Sequence, residues 1–305
     1  MTTADIVIPK SGTDIKFSYL IPEELEPEAK IGKPVLVSLK NRTVYGFIYN
    51  INNIIDSPDI TFGNKKINLK KILRISKPCF FDESRKDIFN FLSSYYHENI
   101  SGVFETVLPS LDVKHFDLLD KYYDEAIENG NNVSEDTPYP AGRHKFLSDA
   151  PYNLTQEQEN AVSIMRQAMG AGLYKTFLLH GVTASGKTEI YFNLLDYALN
   201  LNKQVIITVP EIFITNQFIY LIKKRFKTLI DNNGFAVFHS KISSKEKLIN
   251  HIRIMNGSVK LILGARSAIF SPLKNPGLII IAEAPIIFFS IFILMMNEGY
   301  RAILT

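Results

Sequence analysis

The octapeptide Gly181-Val182-Thr183-Ala184-Ser185-Gly186-Lys187-Thr188 constrains this chain more than any other segment. It fits the phosphate-loop pattern Gly-x4-Gly-Lys-[Ser/Thr] without a mismatch. Its flanks agree: Phe177-Leu178-Leu179 reads as a buried strand, and Glu189-Ile190-Tyr191-Phe192-Asn193-Leu194-Leu195 continues as a helix. Glycines let backbone N–H groups wrap an anion, and the helix N-terminus adds partial positive charge. Lys187 would reach the β- and γ-phosphates of a nucleotide, and the Thr188 hydroxyl would hold Mg²⁺. The bland alternative is a glycine-rich strand-to-helix turn with a chance lysine.

A chain of 305 residues suggests two or three domains. Hydrophobic residues at 46% and charged residues at 21% allow a sizeable core. The formal net charge of +3 permits a nucleic-acid partner without demanding one. Cys79 is the single cysteine, which excludes an internal disulfide and a cysteine-cluster zinc site and fits a reducing, cytoplasmic setting. Residues 1–10 lack the apolar core of a signal peptide. Residues 286–296 are apolar apart from Ser290, but they cover only about half of the roughly 20 residues a spanning helix needs.

Residues 1–76 read as β. Ile15-Lys16-Phe17-Ser18-Tyr19-Leu20 alternates, 34–39 and 44–49 are rich in β-branched and aromatic residues, and Asn41-Arg42 suggests a hairpin between them. So many short strands predict a small β-barrel. Residues 77–128 change to helical period, with Ile88, Phe89, Phe91, Leu92, Tyr95 and Tyr96 on one side of a helix over 82–96 and a second helix over 116–127. Residues 129–151 are polar and rich in Asn, Gly and Pro, which reads as a linker. From 152 to 305 strands and helices alternate, predicting a parallel α/β sheet. Thr155-Gln156-Glu157-Gln158 and Ser243-Ser244-Lys245-Glu246 are capping boxes. Strands are expected at 205–209, 235–238, 259–263 and 278–281, with a helix over about 215–229 between the first two.

Together these pieces resemble the PriA family, the primosomal replication-restart DNA helicases. Residues 179–191 resemble that family's phosphate loop, with Ala184 where Gly is usual. Val209-Pro210-Glu211-Ile212, continuing to Thr215 and Gln217, resembles its next helicase motif. His239-Ser240 and Gly264-Ala265-Arg266-Ser267-Ala268-Ile269-Phe270-Ser271-Pro272 resemble two more. Phe17-Ser18-Tyr19-Leu20-Ile21-Pro22 resembles the start of the family's DNA 3′-end-binding barrel, with Ser18 where Asp is often found. Tyr95-Tyr96-His97, Ser101-Gly102 and Leu108-Pro109 resemble its winged-helix segment. The resemblance implies a multidomain α/β protein with a small β-barrel, a winged-helix-like middle and an incomplete RecA-like P-loop lobe. It implies ATP bound by Gln158 and by Gly181, Val182, Thr183, Ala184, Ser185, Gly186, Lys187 and Thr188, with Mg²⁺ on Thr188. DNA contacts would fall on Phe17, Tyr19, Lys70, Glu211, Arg266 and Ser267. Catalysis would fall on Lys187 and Glu283. The implied partners are branched forks, single strands and 3′ ends of DNA, with primosome and single-strand-binding proteins.

Departures matter for the chemistry. Where the family reads Asp-Glu-Glu-His, this chain has Ala282-Glu283-Ala284-Pro285, leaving Glu283 to polarise the attacking water. Residues 286–296 match nothing in the family, whereas Gly299-Tyr300-Arg301-Ala302 resembles a later family segment. That partial return suggests a shifted reading frame after about 282, a hypothesis that resequencing the locus tests. The second lobe and the zinc-binding cysteines of the family are not in this sequence, so the expectation is an N-terminal portion with a truncated or aberrant end.

Several residues keep two readings. Gln158 resembles an adenine-reading glutamine, and its capping box explains it equally well. Glu211 is a motif residue near DNA or a charge at a helix start. Arg266 and Ser267 lie where ligands meet open α/β sheets. Phe80-Phe81 and Tyr95-Tyr96 stack on bases or fill a core. Lys65-Lys66 and Lys70-Lys71 touch phosphates or are a solvated face, and Lys223-Lys224-Arg225 reads as an exposed helix face. Three functions compete: a DNA-dependent ATP motor, a DNA-binding remnant holding nucleotide without turnover, and a small-molecule kinase. The kinase explains neither the β-rich front nor residues 264–272.

Overall fold

A computed structural model describes residues 1–53, 59–62, 65–111, 113–131, 153–182, 185–210, 216–239, 242–283 and 290–295. The chain divides into two compact units, residues 1–125 and 126–303.

The first unit opens with β1 (Thr2–Val7), β2 (Phe17–Leu20), β3 (Pro34–Leu39) and β4 (Arg42–Asn53), followed by β5 (Asp59–Phe62), β6 (Lys65–Asn68) and β7 (Arg74–Ile75). Five strands form one antiparallel sheet in the order β2-β1-β4-β3-β7, and β5 pairs with β6 alone. The β3–β4 turn is Lys40-Asn41, one residue earlier than expected. Leu39 faces Arg42, and both turn residues have positive φ, 45° and 61°. Two such residues give a two-residue hairpin the twist its strands need. β2 also touches the segment before β7 at one point: the Leu20 N–H donates to Lys70 O and the Ile72 N–H to Leu20 O, both at 2.9 Å.

β1 had no signature in the sequence, yet it lies inside the sheet between β2 and β4. Ala4, Ile6 and Val7 are all fully buried. Two covered faces remove the polar alternation that betrays a half-buried strand.

Three helices follow, α1 (Glu83–Tyr96), α2 (Ile100–Val107) and α3 (Val113–Asn131). Asp82 caps α1 by accepting from the Arg85 N–H, and Asn99 caps α2 through the Gly102 N–H. The helices hold an aromatic core of Phe47, Phe80, Phe81, Phe89 and Phe104, with neighbouring ring centroids 5.0 to 5.8 Å apart for most pairs. Each buried ring contributes about 1.5–3 kcal/mol. Phe80-Phe81 is thus core, while Tyr95 and Tyr96 are exposed at 65% and 68%. The described residues of 77–125 form helices and loops without a strand.

The second unit contains α4 (Gln156–Gly170), β8 (Lys175–His180), α5 (Lys187–Asn200), β9 (Gln204–Thr208), α6 (Asn216–Arg225), α7 (Lys227–Asp231) and β10 (Phe235–Phe238). It ends with α8 (Ser244–Met255), β11 (Leu261–Gly264), a 3₁₀ turn (Arg266–Phe270), β12 (Pro276–Glu283) and β13 (Ser290–Met295). The sheet order is β10-β11-β9-β12-β13-β8. β10, β11, β9 and β12 run parallel, and β13 is antiparallel to both its neighbours. β8 therefore runs in the common direction. β9 sits centrally with all five residues buried.

The expected helix over 215–229 breaks at Phe226, which leaves helical geometry at φ −116°, ψ 42° and is fully buried. β8 corrects a second expectation. It is an edge strand of the sheet as described, and Leu178 is 58% exposed. Part of the apolar stretch 286–296 is accounted for by β13. Buried Gln204 knots the sheet together. Its amide donates to Ile254 O and Val259 O at 3.0 and 2.7 Å, and its carbonyl accepts from the Lys274 and Asn275 N–H groups at 2.6 and 2.9 Å. Among the described residues no helix is long and apolar enough to cross a membrane.

Candidate nucleotide and DNA sites

Parallel strands bring the chain repeatedly to one carboxyl rim, where loops are free to bind. β8 delivers Gly181 there, and α5 leaves from it. Gly186 is the N-cap of α5 at φ 79°, a left-handed conformation that a side chain resists. A Cβ on it would also come within 2.4 Å of Gln158 Nε2. Lys187 is the first helical residue. Its ammonium folds into the loop, donating to Gly181 O at 2.5 Å, Val182 O at 2.7 Å and Ser185 Oγ at 3.3 Å. Burial lowers its pKa below the usual lysine value. An incoming phosphate would have to compete with those carbonyls for the same charge. Thr188 Oγ1 accepts from the Tyr191 hydroxyl at 3.0 Å, which fixes its position beside the loop. Burial raises the pKa of Tyr191, so it stays a donor.

Gln158 has the capping role and also touches the phosphate loop. It completes the capping box of α4, with Thr155 N–H to its Oε1 at 2.9 Å and its own N–H to Thr155 Oγ1 at 3.3 Å. Its Nε2 also donates to Ser185 O at 2.9 Å, bracing the phosphate loop from α4.

Other candidates share the rim. Gly264 ends β11, where a Cβ would sit 2.5 Å from Ala268 Cβ, so only glycine lets the following 3₁₀ turn fold back. That turn presents Arg266 and Ser267 as exposed residues. Glu283 is the last residue of β12, in register with Ser290, which pairs in turn with His180. Two strand spacings, about 10 Å, thus separate the Glu283 and His180 backbones. Thr183, Ala184 and Glu211 lie outside the described residues, as does the Glu283 side chain. Among the described residues no His/Cys/Asp/Glu cluster could hold a metal ion.

The supposed exposed face at 223–225 needs correction. Lys223 and Lys224 are exposed, but Arg225 is 3% exposed and pairs with Glu189 on α5. The clue was its spacing: 222, 225 and 229 share a helix face, and Ile222 and Leu229 are plainly apolar.

In the first unit, Tyr19 is 4% exposed and its ring belongs to the core. Its hydroxyl donates to Ser38 O at 3.1 Å, and burial raises its pKa. Lys70 reaches the same residue, with Nζ 3.4 Å from Ser38 Oγ. Phe17 is half-buried at the start of β2. The fold therefore brings Tyr19 and Lys70 to Ser38, which sequence reasoning missed for want of any local pattern. Ser18 donates to Asp5 Oδ1 at 2.9 Å, and Asp5 Oδ2 accepts from Asn50 and Asn52 at 3.1 Å each.

A strand, a glycine loop and a helix opening on lysine, at the carboxyl rim of a mostly parallel sheet, define a P-loop nucleotide-binding lobe. Comparison with known proteins agrees. Residues 155–290 match the DEAD/DEAH box helicase model, and residues 5–109 match the PriA 3′DNA-binding domain. The chain is 30% identical to replication restart protein PriA of Rickettsia conorii over 287 residues, 93% of this chain and 37% of that protein. It is 43% identical to the Bacillus subtilis protein of that name over 138 residues, 45% of this chain and 16% of that one. The corresponding Chlamydia trachomatis protein is 41% identical over 140 residues, 46% of this chain and 18% of that one. The chain thus resembles PriA proteins along most of its own sequence, and it spans little more than a third of the length of its Rickettsia relatives.

Proposed function

We propose that this polypeptide is the DNA- and ATP-binding portion of an ATP-dependent 3′→5′ DNA helicase that restarts stalled replication forks. The observation that carries this reading is Lys187, held at the first turn of α5 inside a glycine-bounded loop. ATP bound there would supply the phosphoryl group, with Mg²⁺ neutralising its charge. Gln158 braces the loop, Gly186 gives the phosphates backbone access, and Thr188 offers the metal a hydroxyl. The first unit supports DNA binding through phosphate contact at Lys70 and stacking at Phe17. Two finer readings go with it: the sheet of 1–76 closes into a barrel through the Leu20 bridge, and 77–128 acts as a winged-helix-like module. A linker over 129–151 and a helicase lobe from 152 complete the division.

A second reading is favoured by one residue. Ala282 stands where the family carries the aspartate that orders Mg²⁺, leaving Glu283 as the acid at the end of β12. Metal positioning and charge neutralisation dominate phosphoryl transfer. This polypeptide is therefore expected to bind nucleotide and forked DNA with little turnover and no unwinding. Hydrolysis of ATP measured with and without forked DNA separates the cases. DNA-stimulated turnover means an active motor, tight binding without turnover means a holding role, and turnover indifferent to DNA contradicts both.

A further inference from the structure

Arg225 is a strongly basic residue that is almost completely buried, and the phosphate chemistry above does not use it. It closes α6, and its guanidinium meets the carboxylate of Glu189, the third residue of α5. The side chains are 4% and 17% exposed. Arg225 also lies over the Phe192 ring at 5.6 Å, and Phe226 packs edge-on against Phe192 at 5.7 Å. Arg225 Nε is buried without a hydrogen-bond partner among the described residues.

Stability alone is a poor reason for this pair. A buried ion pair gains little over well-packed apolar side chains of equal volume, and here one donor is left unsatisfied. Position gives a better reason. Glu189 sits in the first turn of the helix whose N-terminus is to receive phosphate. Its bare carboxylate would oppose an anionic ligand, and burial limits how far salt screens that charge.

Resting on the nucleotide-site reading, we infer that Arg225 is a positioning residue of the phosphate loop. It cancels the Glu189 charge and clamps the first turn of α5, so that Lys187 faces a polyanion without a competing carboxylate. It touches no reacting atom and acts through Glu189.

The test is titration of the full chain with methylanthraniloyl-ADP at low salt, with thermal melting of every variant. Arg225→Met exposes the carboxylate and raises Kd about tenfold or more. Arg225→Lys keeps the charge and recovers most of that loss. Glu189→Gln leaves Kd unchanged or lowers it. The double variant Glu189→Gln/Arg225→Met returns to within about threefold of the parent, since neither charge remains. Ile222→Ala, a core cavity on the same helix, lowers the melting temperature without moving Kd. Should Arg225→Met fail to fold, the double variant and Arg225→Lys decide alone. A merely structural pair would make both single variants weaken binding alike; that result, or an unchanged Kd in Arg225→Met, overturns the inference. A parent that binds no nucleotide overturns the site itself.

Discussion

The phosphate loop of the second unit and the Ser38 corner of the first are assembled by opposite means. Eight consecutive residues and one glutamine make the loop, and a single turn from β8 to α5 sets its geometry. Tyr19, Ser38 and Lys70 come from β2, β3 and the segment before β7, and they meet only because elements distant in sequence come together. A local site survives moderate loosening of its surroundings. A site built across a sheet weakens when any contributing strand does.

The largest expected effect on that contrast comes from Asp120. Burial alone would raise its pKa, but hydrogen bonds from Ser76 Oγ, the Lys77 N–H and Arg74 outweigh this and hold it below the ordinary value near 3.8. These bonds, at 2.5, 2.8 and 2.9 Å, tie α3 to β7 and the residues after it, and β7 pairs with β3, the strand of Ser38. Asp120→Asn is expected to destabilise the first unit by about 1–3 kcal/mol, measured by urea denaturation, and to weaken DNA binding while sparing nucleotide binding. The sign with pH follows from the depressed value. The carboxylate's stabilisation is present above its unfolded pKa and is lost as pH falls through the lower folded one. Melting curves of the parent should therefore lose stability on acidification below about pH 4, and the variant should lose less. Equal acid sensitivity would separate Asp120 from that role.

A smaller effect is expected at Lys70. Lys70→Ala should weaken binding of a 3′-tailed oligonucleotide about three- to tenfold and reduce the salt slope by about one. Fluorescence anisotropy at several salt concentrations reads both. Nucleotide affinity should not change, because no part of the phosphate loop depends on Lys70. An unaltered salt slope would remove Lys70 from the DNA surface.

Legibility in the sequence follows the same division. Thr155 and Gln158 announced their capping box because both partners lie within one helical turn. Lys187 and Gly186 announced the loop for the same reason. What escaped was set at long range. Nothing near β1 shows that β2 and β4 flank it, so Ile6 and Val7 carry no alternation to read. Phe177-Leu178-Leu179 looks buried, and only the strand order leaves Leu178 in solvent. Phe80-Phe81 and Tyr95-Tyr96 are similar aromatic pairs, yet one fills the core and the other ends a helix in water. Lys223-Lys224-Arg225 looks like a uniform charged face, although the break at Phe226 follows the one cation that turns inward to Glu189.

Nucleotide titration of Lys187→Ala against the parent, each checked for unchanged melting, bears most directly on the phosphate loop as the seat of function. Loss of that ammonium should weaken binding about 30-fold or more, as expected for a charge-assisted contact to phosphate, with DNA affinity unaltered. A variant that holds ATP as tightly as the parent would show that the loop between β8 and α5 is not where this chain binds nucleotide.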